Sequence, residues 1–254
     1  MNDRETARDE GRVVLSVVVP VKDEAESLPG VHGDLVTALD DLGVRWEIVY
    51  VDDGSTDESP AWLESLASGD DRIEVLRLDK NYGQSTAMIA GTRAAQGVWV
   101  ATLDADGQND PEDLKLLWRA VHEPGVDAAQ GVRRERHDSW VRKISSRMAN
   151  TTRDLMTGDR VTDVGCSLRI VRRAALLSAP RFEGMHRFLP TLLRMTGARV
   201  VEIPVSHRPR VAGCAKYGIH NRLWKGLYDL IMVRRLRQRW IRYRLVDSSE
   251  KRSS

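Results

Sequence analysis

The amino-acid sequence specifies an α/β fold with a central, mostly parallel sheet flanked by helices. Short β-branched runs alternate with segments of helical spacing through the first half of the chain. The runs are apolar almost throughout, the pattern of strands covered on both faces. Nothing competes with this reading. The 254 residues include only two cysteines, Cys166 and Cys214, outside any CxxC pattern, which excludes a disulfide scaffold or a Cys-rich zinc site and points to a reducing compartment.

The elements run in order along the chain. A first strand is read over Leu15–Val21 (LSVVVPV) and a helix over Leu28–Leu42. Next come a strand at Glu47–Asp53 (EIVYVDD), a helix at Pro60–Leu66, a strand at Ile73–Leu78 and a helix at Ser85–Ala95. Val98–Asp104 (VWVATLD) is the fourth strand. In the helix after it, Leu114, Leu117, Trp118 and Val121 recur at i, i+3, i+4 and i+7 and define one apolar face. Right-handed βαβ connections are expected between these strands.

The second half is less regular. It contains a basic helix over Trp140–Met156, a strand at Ser167–Val171, a helix at Met185–Met195, a strand at Val200–Val205 and a glycine-punctuated loop at Gly213–Gly218. Leu223–Leu245 reads as a C-terminal amphipathic helix, with Leu223, Leu227, Leu230, Ile231 and Leu236 on an apolar face among arginines. The expected organisation is a disordered tail at 1–12, one domain at 13–218, a basic helical appendage at 219–245 and a second disordered tail at 246–254.

Charge is balanced as a sum and uneven in place. Thirty-nine Lys and Arg against 37 Asp and Glu give a net charge of +2, which argues against a nucleic-acid binder. Yet beyond Ile219 ten bases (Arg222, Lys225, Arg234, Arg235, Arg237, Arg239, Arg242, Arg244, Lys251, Arg252) face three acids (Asp229, Asp247, Glu250). Aromatic residues among arginines, here Trp224, Trp240 and Tyr243, suit a membrane interface. Met1–Arg12 is polar with no apolar signal core, and no run of about 18 apolar residues occurs. The expected address is the cytoplasm.

Ligands of parallel sheets bind beyond the carboxyl ends of the strands. Here those ends are acidic: Lys22-Asp23-Glu24, Asp52-Asp53 and Asp104-Ala105-Asp106. Carboxylates so gathered repel one another unless a cation joins them. Asp104-Ala-Asp106-Gly-Gln108 offers two carboxylates and an amide oxygen, a set suited to Mg²⁺ or Mn²⁺ held partly by a diphosphate. A calcium loop would need Gly where Asn109 stands and Glu where Lys115 stands. A phosphatase of the DxDGT type would need Thr in place of Gln108 and the motif at the first strand. In Asp52-Asp53-Gly54-Ser55-Thr56-Asp57, capping accounts for Ser, Thr and Asp57 but not for paired aspartates at a strand end.

Pro20–Leu28, Asp52–Asp57, Asn81-Tyr82-Gly83, Asp104–Gln108, and His207-Arg208-Pro209-Arg210 with Gly213–Gly218 stand in the order found in family 2 glycosyltransferases. Over Leu15–Trp240 the chain resembles the polyprenyl-phosphate branch of that family, of which dolichol-phosphate mannose synthase is a member. The resemblance implies a GT-A nucleotide-sugar-binding fold. It also implies inverting transfer from a GDP- or UDP-sugar to undecaprenyl or dolichyl phosphate at the cytoplasmic membrane face, with Mg²⁺ or Mn²⁺ as cofactor. Pro20, Glu24 and Asp53 would line the nucleoside pocket, Asp104 would contact the donor, and Asp106 and Gln108 would hold the metal. Arg133, Arg142 and Ser146 match the acceptor-phosphate positions, while Arg208, Arg210 and Lys216 would close over the donor phosphates. Asp163, in Asp-Val-Gly-Cys-Ser-Leu-Arg, matches an acidic position near the sugar and joins Asp104 and Asp106 as an expected catalytic residue.

The chemistry agrees with this assignment. A leaving nucleoside diphosphate develops negative charge that a metal and Arg or Lys stabilise. A lipid phosphate is already anionic, so its attack needs positioning more than a general base. A hydroxyl acceptor is the alternative and would require a base, for which Asp163 is the candidate. A non-catalytic nucleotide-sugar-binding scaffold is the other; the presence of both Asp106 and Gln108 argues against it. The chain departs from its relatives at Lys22, in place of an aromatic, at Gln84, in place of Lys, and at Ala215, in place of Ser. Expected partners are the donor, the polyprenyl phosphate and the membrane surface met by the basic helix, without nucleic acid; self-association is left open.

Overall fold

The structure, a computed structural model, describes residues 12–133, 159, 161–163, 165–209 and 219–241, with backbone alone at 219–227. In chain order the elements are β1 (Leu15–Val21), α1 (Leu28–Asp40), β2 (Trp46–Asp52), α2 (Ser59–Gly69), β3 (Ile73–Arg77), α3 (Gln84–Ala94) and β4 (Trp99–Thr102). A 3₁₀ turn at Pro111–Asp113 leads into α4 (Leu114–Val121), then β5 (Ala128–Arg133). Beyond these come β6 (Arg169–Arg172), α5 (Arg173–Ser178), a 3₁₀ turn at Met185–Arg187, α6 (Leu189–Met195), β7 (Val200–Val205) and α7 (Ile219–Gln238).

Among the described residues these strands form one seven-stranded sheet in the order β3-β2-β1-β4-β6-β5-β7. β1 pairs in parallel with β2 and β4, β2 with β3, and β5 with β7; only β6 runs against its neighbours, β4 and β5. β2 and β3 extend to one side of β1 and β4 lies on the other. The strand order therefore reverses between β1 and β4, the switch point where open α/β sheets take their ligands.

The period of two along each strand builds two cores. Leu15, Val17, Val19 and Val21 of β1, with Ile48 and Tyr50 of β2, face Leu28, Val31, Leu35 and Leu39 of α1, Leu63 of α2, and Leu114, Leu117 and Val121 of α4. Val18, Val49, Val51 and Val100 face the other way, onto Ala87 and Met88 of α3, Leu176 of α5, Leu189, Leu192 and Leu193 of α6, and Leu230 and Val233 of α7. Every residue of β2 is buried, as a strand covered on both faces requires. α3 lies so close to β1 that a Cβ on Gly91 would collide with Val18.

The parallel half matches the sequence reading to within a few residues at each boundary. The expected helix Met185–Met195 is instead divided into the 3₁₀ turn and α6. Pro190 sits in the first turn of α6, where its missing N–H costs nothing, and the same proline inside a longer helix would break it. β5 and α5 have no counterpart among the elements expected from sequence. The basic helix expected at Trp140–Met156 and the loop at Gly213–Gly218 lie outside the described residues.

Candidate active site

All the described residues proposed for the site stand at the carboxyl edge of the sheet, Pro20 and Arg133 in the last residues of β1 and β5 and the others on loops that come after β1, β2, β4 and β7 or precede β6. Local turn chemistry fixes these loops to one another. Asp23, among the described residues the non-glycine one with positive φ (49°), donates its N–H to Ser55 Oγ (2.9 Å) and accepts the Thr56 N–H on Oδ1 (2.7 Å). Burial opposes its charge, but the Thr56 amide and the Lys22 ammonium outweigh it and hold the Asp23 carboxyl below the usual carboxylate range. Lys22 also donates to the Gly54 carbonyl at 2.5 Å. Gly54 itself has φ +68°, and a Cβ there would meet the Lys80 backbone at 2.6 Å, so the turn after β2 demands glycine.

Of the paired aspartates, Asp52 accepts the Ser55 N–H (2.8 Å) and faces Arg77 at 3.7 Å, away from the switch point. Asp53 accepts the backbone N–H groups of Tyr82 (2.7 Å) and Gly83 (2.8 Å), one on each oxygen. Asp53, expected in the nucleoside pocket, thus also anchors the segment entering α3. Pro20 and Glu24 are half-buried beside it. The Glu24 N–H is held by Ser59 Oγ at 3.1 Å, and Ser27 joins this loop to the β4 loop by donating to the Ala105 carbonyl at 2.7 Å.

Asp104 stands at the switch point. Gln84 donates to its Oδ1 at 2.6 Å. Burial, joined by the charges of Asp106 and Glu24, pushes its pKa up to about 6, against the opposing effects of Ser167 and Arg169. Asp106 accepts the Gln108 N–H at 3.1 Å, which turns the loop back on itself and places both side chains at the edge. Among the described residues no three His, Cys, Asp or Glu side chains converge on one point as a ready cage. The donor set is therefore a partial one: hard oxygens from Asp106 and Gln108 in a field of like charges. That fits a hard cation completed by water or diphosphate oxygens.

Arg133 ends β5, and its guanidinium grips Asp163 at two points, Nε to Oδ2 at 2.7 Å and Nη2 to Oδ1 at 2.9 Å. Asp163 also accepts the Gly165 N–H at 3.0 Å. Arg208, expected over the donor phosphates, comes after β7. Its guanidinium is engaged by Asp34 (2.6 Å) and Asp110 (2.8 Å), and its N–H donates to the Gln108 carbonyl at 2.9 Å, so that here it braces the Asp106–Gln108 loop. Arg142, Ser146, Arg210 and Lys216 lie outside the described residues.

Two residues enter the site that sequence reasoning does not assign to it. His207 comes after β7 within electrostatic reach of Arg133, Asp106 and Asp163, and burial pushes its pKa down. Its place in the His-Arg-Pro-Arg motif is the available signal. Arg169, at the start of β6, is buried behind Asp104; only the unequal cost of burying a cation marks it in sequence.

A sheet of GT-A type, with an acidic edge at its switch point, is what these elements compose. Residues 16–178 match the family Glycosyl transferase family 2, and the chain belongs to that family. It is 38% identical over 218 residues, 85% of its length, to the undecaprenyl-phosphate 4-deoxy-4-formamido-L-arabinose transferase of Edwardsiella ictaluri (strain 93-146), and spans 66% of that protein's length. Its fold is similar to glucosyl-3-phosphoglycerate synthase from Mycobacterium tuberculosis. The complex of that enzyme with Mn²⁺, uridine diphosphate and phosphoglyceric acid has a TM-score of 0.66 at 19% identity, covering 95% of this chain and 82% of the synthase. Its complex with Mn²⁺ and UDP-glucose also gives a TM-score of 0.66, at 18% identity, over 90% and 80% of the two chains.

Proposed function

We propose that this chain is a metal-dependent, inverting glycosyltransferase that moves a sugar from a nucleotide-sugar donor to a polyprenyl phosphate. The observation that carries the reading is the state of Asp163. Its oxygens are taken up by Arg133 and Gly165, so the carboxylate is placed to orient an arginine and not to deprotonate a hydroxyl. An acceptor that needs no base is then the one that fits, and the 38% identical relative is named for such an acceptor.

In this reading Pro20, Glu24 and Asp53 border the nucleoside, and Asp104 meets the donor at the switch point. Asp106 and Gln108, with His207 nearby, would hold Mg²⁺ or Mn²⁺, which when bound would supply charge neutralisation for the departing diphosphate. Arg133, oriented by Asp163, presents a forked donor to the acceptor phosphate, aided by Arg142 and Ser146. A phosphate oxygen forms the new bond to the anomeric carbon as the bond to the diphosphate breaks on the opposite face. The nucleoside diphosphate leaves with the electron pair, and no proton moves.

The acceptor chain requires a membrane surface. No described helix is long and apolar enough to cross one. On α7, Leu230 and Val233 are buried against the domain, while Tyr228, Ile231, Arg234 and Arg235 are exposed, as are Arg239 and Ile241 just beyond it. We assign that exposed ridge to an anionic lipid surface on the cytoplasmic side. The test is a panel of GDP- and UDP-sugars with Mg²⁺ or Mn²⁺, with and without undecaprenyl phosphate. Transfer that depends on the lipid phosphate is expected; equal transfer to a free saccharide would overturn the reading.

A further inference from the structure

Arg169 is a buried cation with an unusual set of partners. Its guanidinium donates three hydrogen bonds to backbone carbonyls: Nε to Ser167 (3.3 Å), Nη1 to His186 (3.1 Å) and Nη2 to Cys166 (2.7 Å). Among the described residues no carboxylate pairs with it at ion-pair distance, though it is buried. Burying a guanidinium without a paired anion is costly, and an apolar side chain like those of Leu168 and Ile170 beside it would fill the strand at far less cost.

The sheet explains where this charge is wanted. In β6, Arg169 lies between Thr102 of β4, two residues before Asp104, and Gln130 of β5, three residues before Arg133. The loop leading to it is fixed from both sides, by Thr102 Oγ1 to the Ser167 carbonyl (2.8 Å) and Gln130 Nε2 to the Cys166 carbonyl (2.9 Å). The carboxylates whose charges reach the guanidinium are Asp104 and Asp163. Asp104 itself is touched by the neutral amide of Gln84 and has no ion-pair partner among the described residues.

We propose that Arg169 is a positioning residue for donor binding: a fixed positive charge beneath the acidic edge that offsets Asp104 and Asp163 without occupying their oxygens, so that the edge accepts a nucleoside diphosphate together with one cation. The proposal rests on the glycosyltransferase reading above. Held by carbonyls, the guanidinium keeps its place whether or not ligand is present. Its effect on an anionic ligand and on a free cation must then be opposite in sign.

That opposition is the test. Mn²⁺ alone is titrated by paramagnetic resonance, and UDP with saturating Mn²⁺ by calorimetry, on the full chain and on Arg169→Gln, Arg169→Met and Arg169→Lys. Each variant is first checked for cooperative melting. In a neutral variant that folds, Mn²⁺ alone should bind about threefold tighter and UDP about tenfold weaker, while Arg169→Lys stays near the unsubstituted protein on both. Weakening of both probes together, or no change in either, overturns the proposal. So does failure of both neutral variants to fold, which would make the residue structural. If the unsubstituted chain binds neither probe, the glycosyltransferase reading itself fails and takes this one with it.

Discussion

Arg133 and Asp163, 30 residues apart in sequence, are joined by two hydrogen bonds of 2.7 and 2.9 Å, one to each carboxylate oxygen, with little of either side chain exposed. A forked guanidinium held this way is fixed in one direction. Asp163→Asn removes the charge and keeps the shape. It should raise the KM for undecaprenyl phosphate about tenfold, with donor affinity little changed. Asp163→Ala leaves the buried guanidinium without this carboxylate, and should lower unfolding stability by about 3 kcal/mol in a denaturant titration. A fall in kcat with no change in acceptor KM would instead make Asp163 a base.

The Asp106–Gln108 loop carries the metal in the proposed reaction. Asp106→Ala should reduce metal-dependent turnover by at least about 100-fold. The affinity for UDP measured with Mn²⁺ should fall toward that measured with a chelator. Turnover that survives chelation in the unsubstituted chain would remove the cation from the mechanism.

His186 offers a pH dependence separate from the acidic edge. Ser85 Oγ accepts the backbone N–H groups of Gly184 (3.1 Å) and His186 (3.4 Å), which uses both of its acceptor sites and leaves its own proton for His186 Nδ1 at 2.7 Å. Burial, with Arg187 and Arg169 adding to it, pushes the imidazole pKa from 6.5 down to about 3. Between those values the unfolded chain binds a proton that the native state refuses. Stability from this site is complete above pH 6.5 and is lost as the pH falls through that window, by up to about 1.4 kcal/mol per pH unit. His186→Gln should flatten that slope in urea titrations run at pH 7.5 and at lower pH; an unchanged slope would contradict the assignment.

The two faces of α7 should respond to different measurements. Val233 is fully buried, and Val233→Ala should cost about 2 kcal/mol of stability. Tyr228 and Ile231 are exposed. Their joint replacement by Ser should leave melting unchanged and reduce flotation with vesicles containing anionic lipid several-fold. Equal flotation of the two proteins would place the membrane contact elsewhere.

The parallel half of the sheet and its acidic edge are legible in sequence because both depend on local pattern. Apolar runs mark strands, and in a parallel sheet the residues just past each strand gather at one edge. β5 escapes because its sequence, AAQGVR, has small and polar residues where a β-branched run would signal a strand, and its burial comes from neighbours on either side. β6 is recognisable as a strand, but nothing in a run such as RIVR reveals its direction. The Arg133–Asp163 pair, the approach of His207 and the place of Arg169 all come from bringing distant segments together. Residue types alone could nominate Arg133 and Asp163, yet could not say that they would bind each other.

The reversal of β6 also ties two arginines of the site to a single strand pair. The polypeptide leaves the carboxyl edge after Arg133 and comes back to it at Arg169, on adjacent antiparallel strands whose pairing is closed by Ala128 with Val171 and Gln130 with Arg169. Asp163 on the return holds the first of those arginines, and the Cys166 and Ser167 carbonyls hold the second, so a slip of β6 against β5 by one residue pair would displace both guanidinium groups at once.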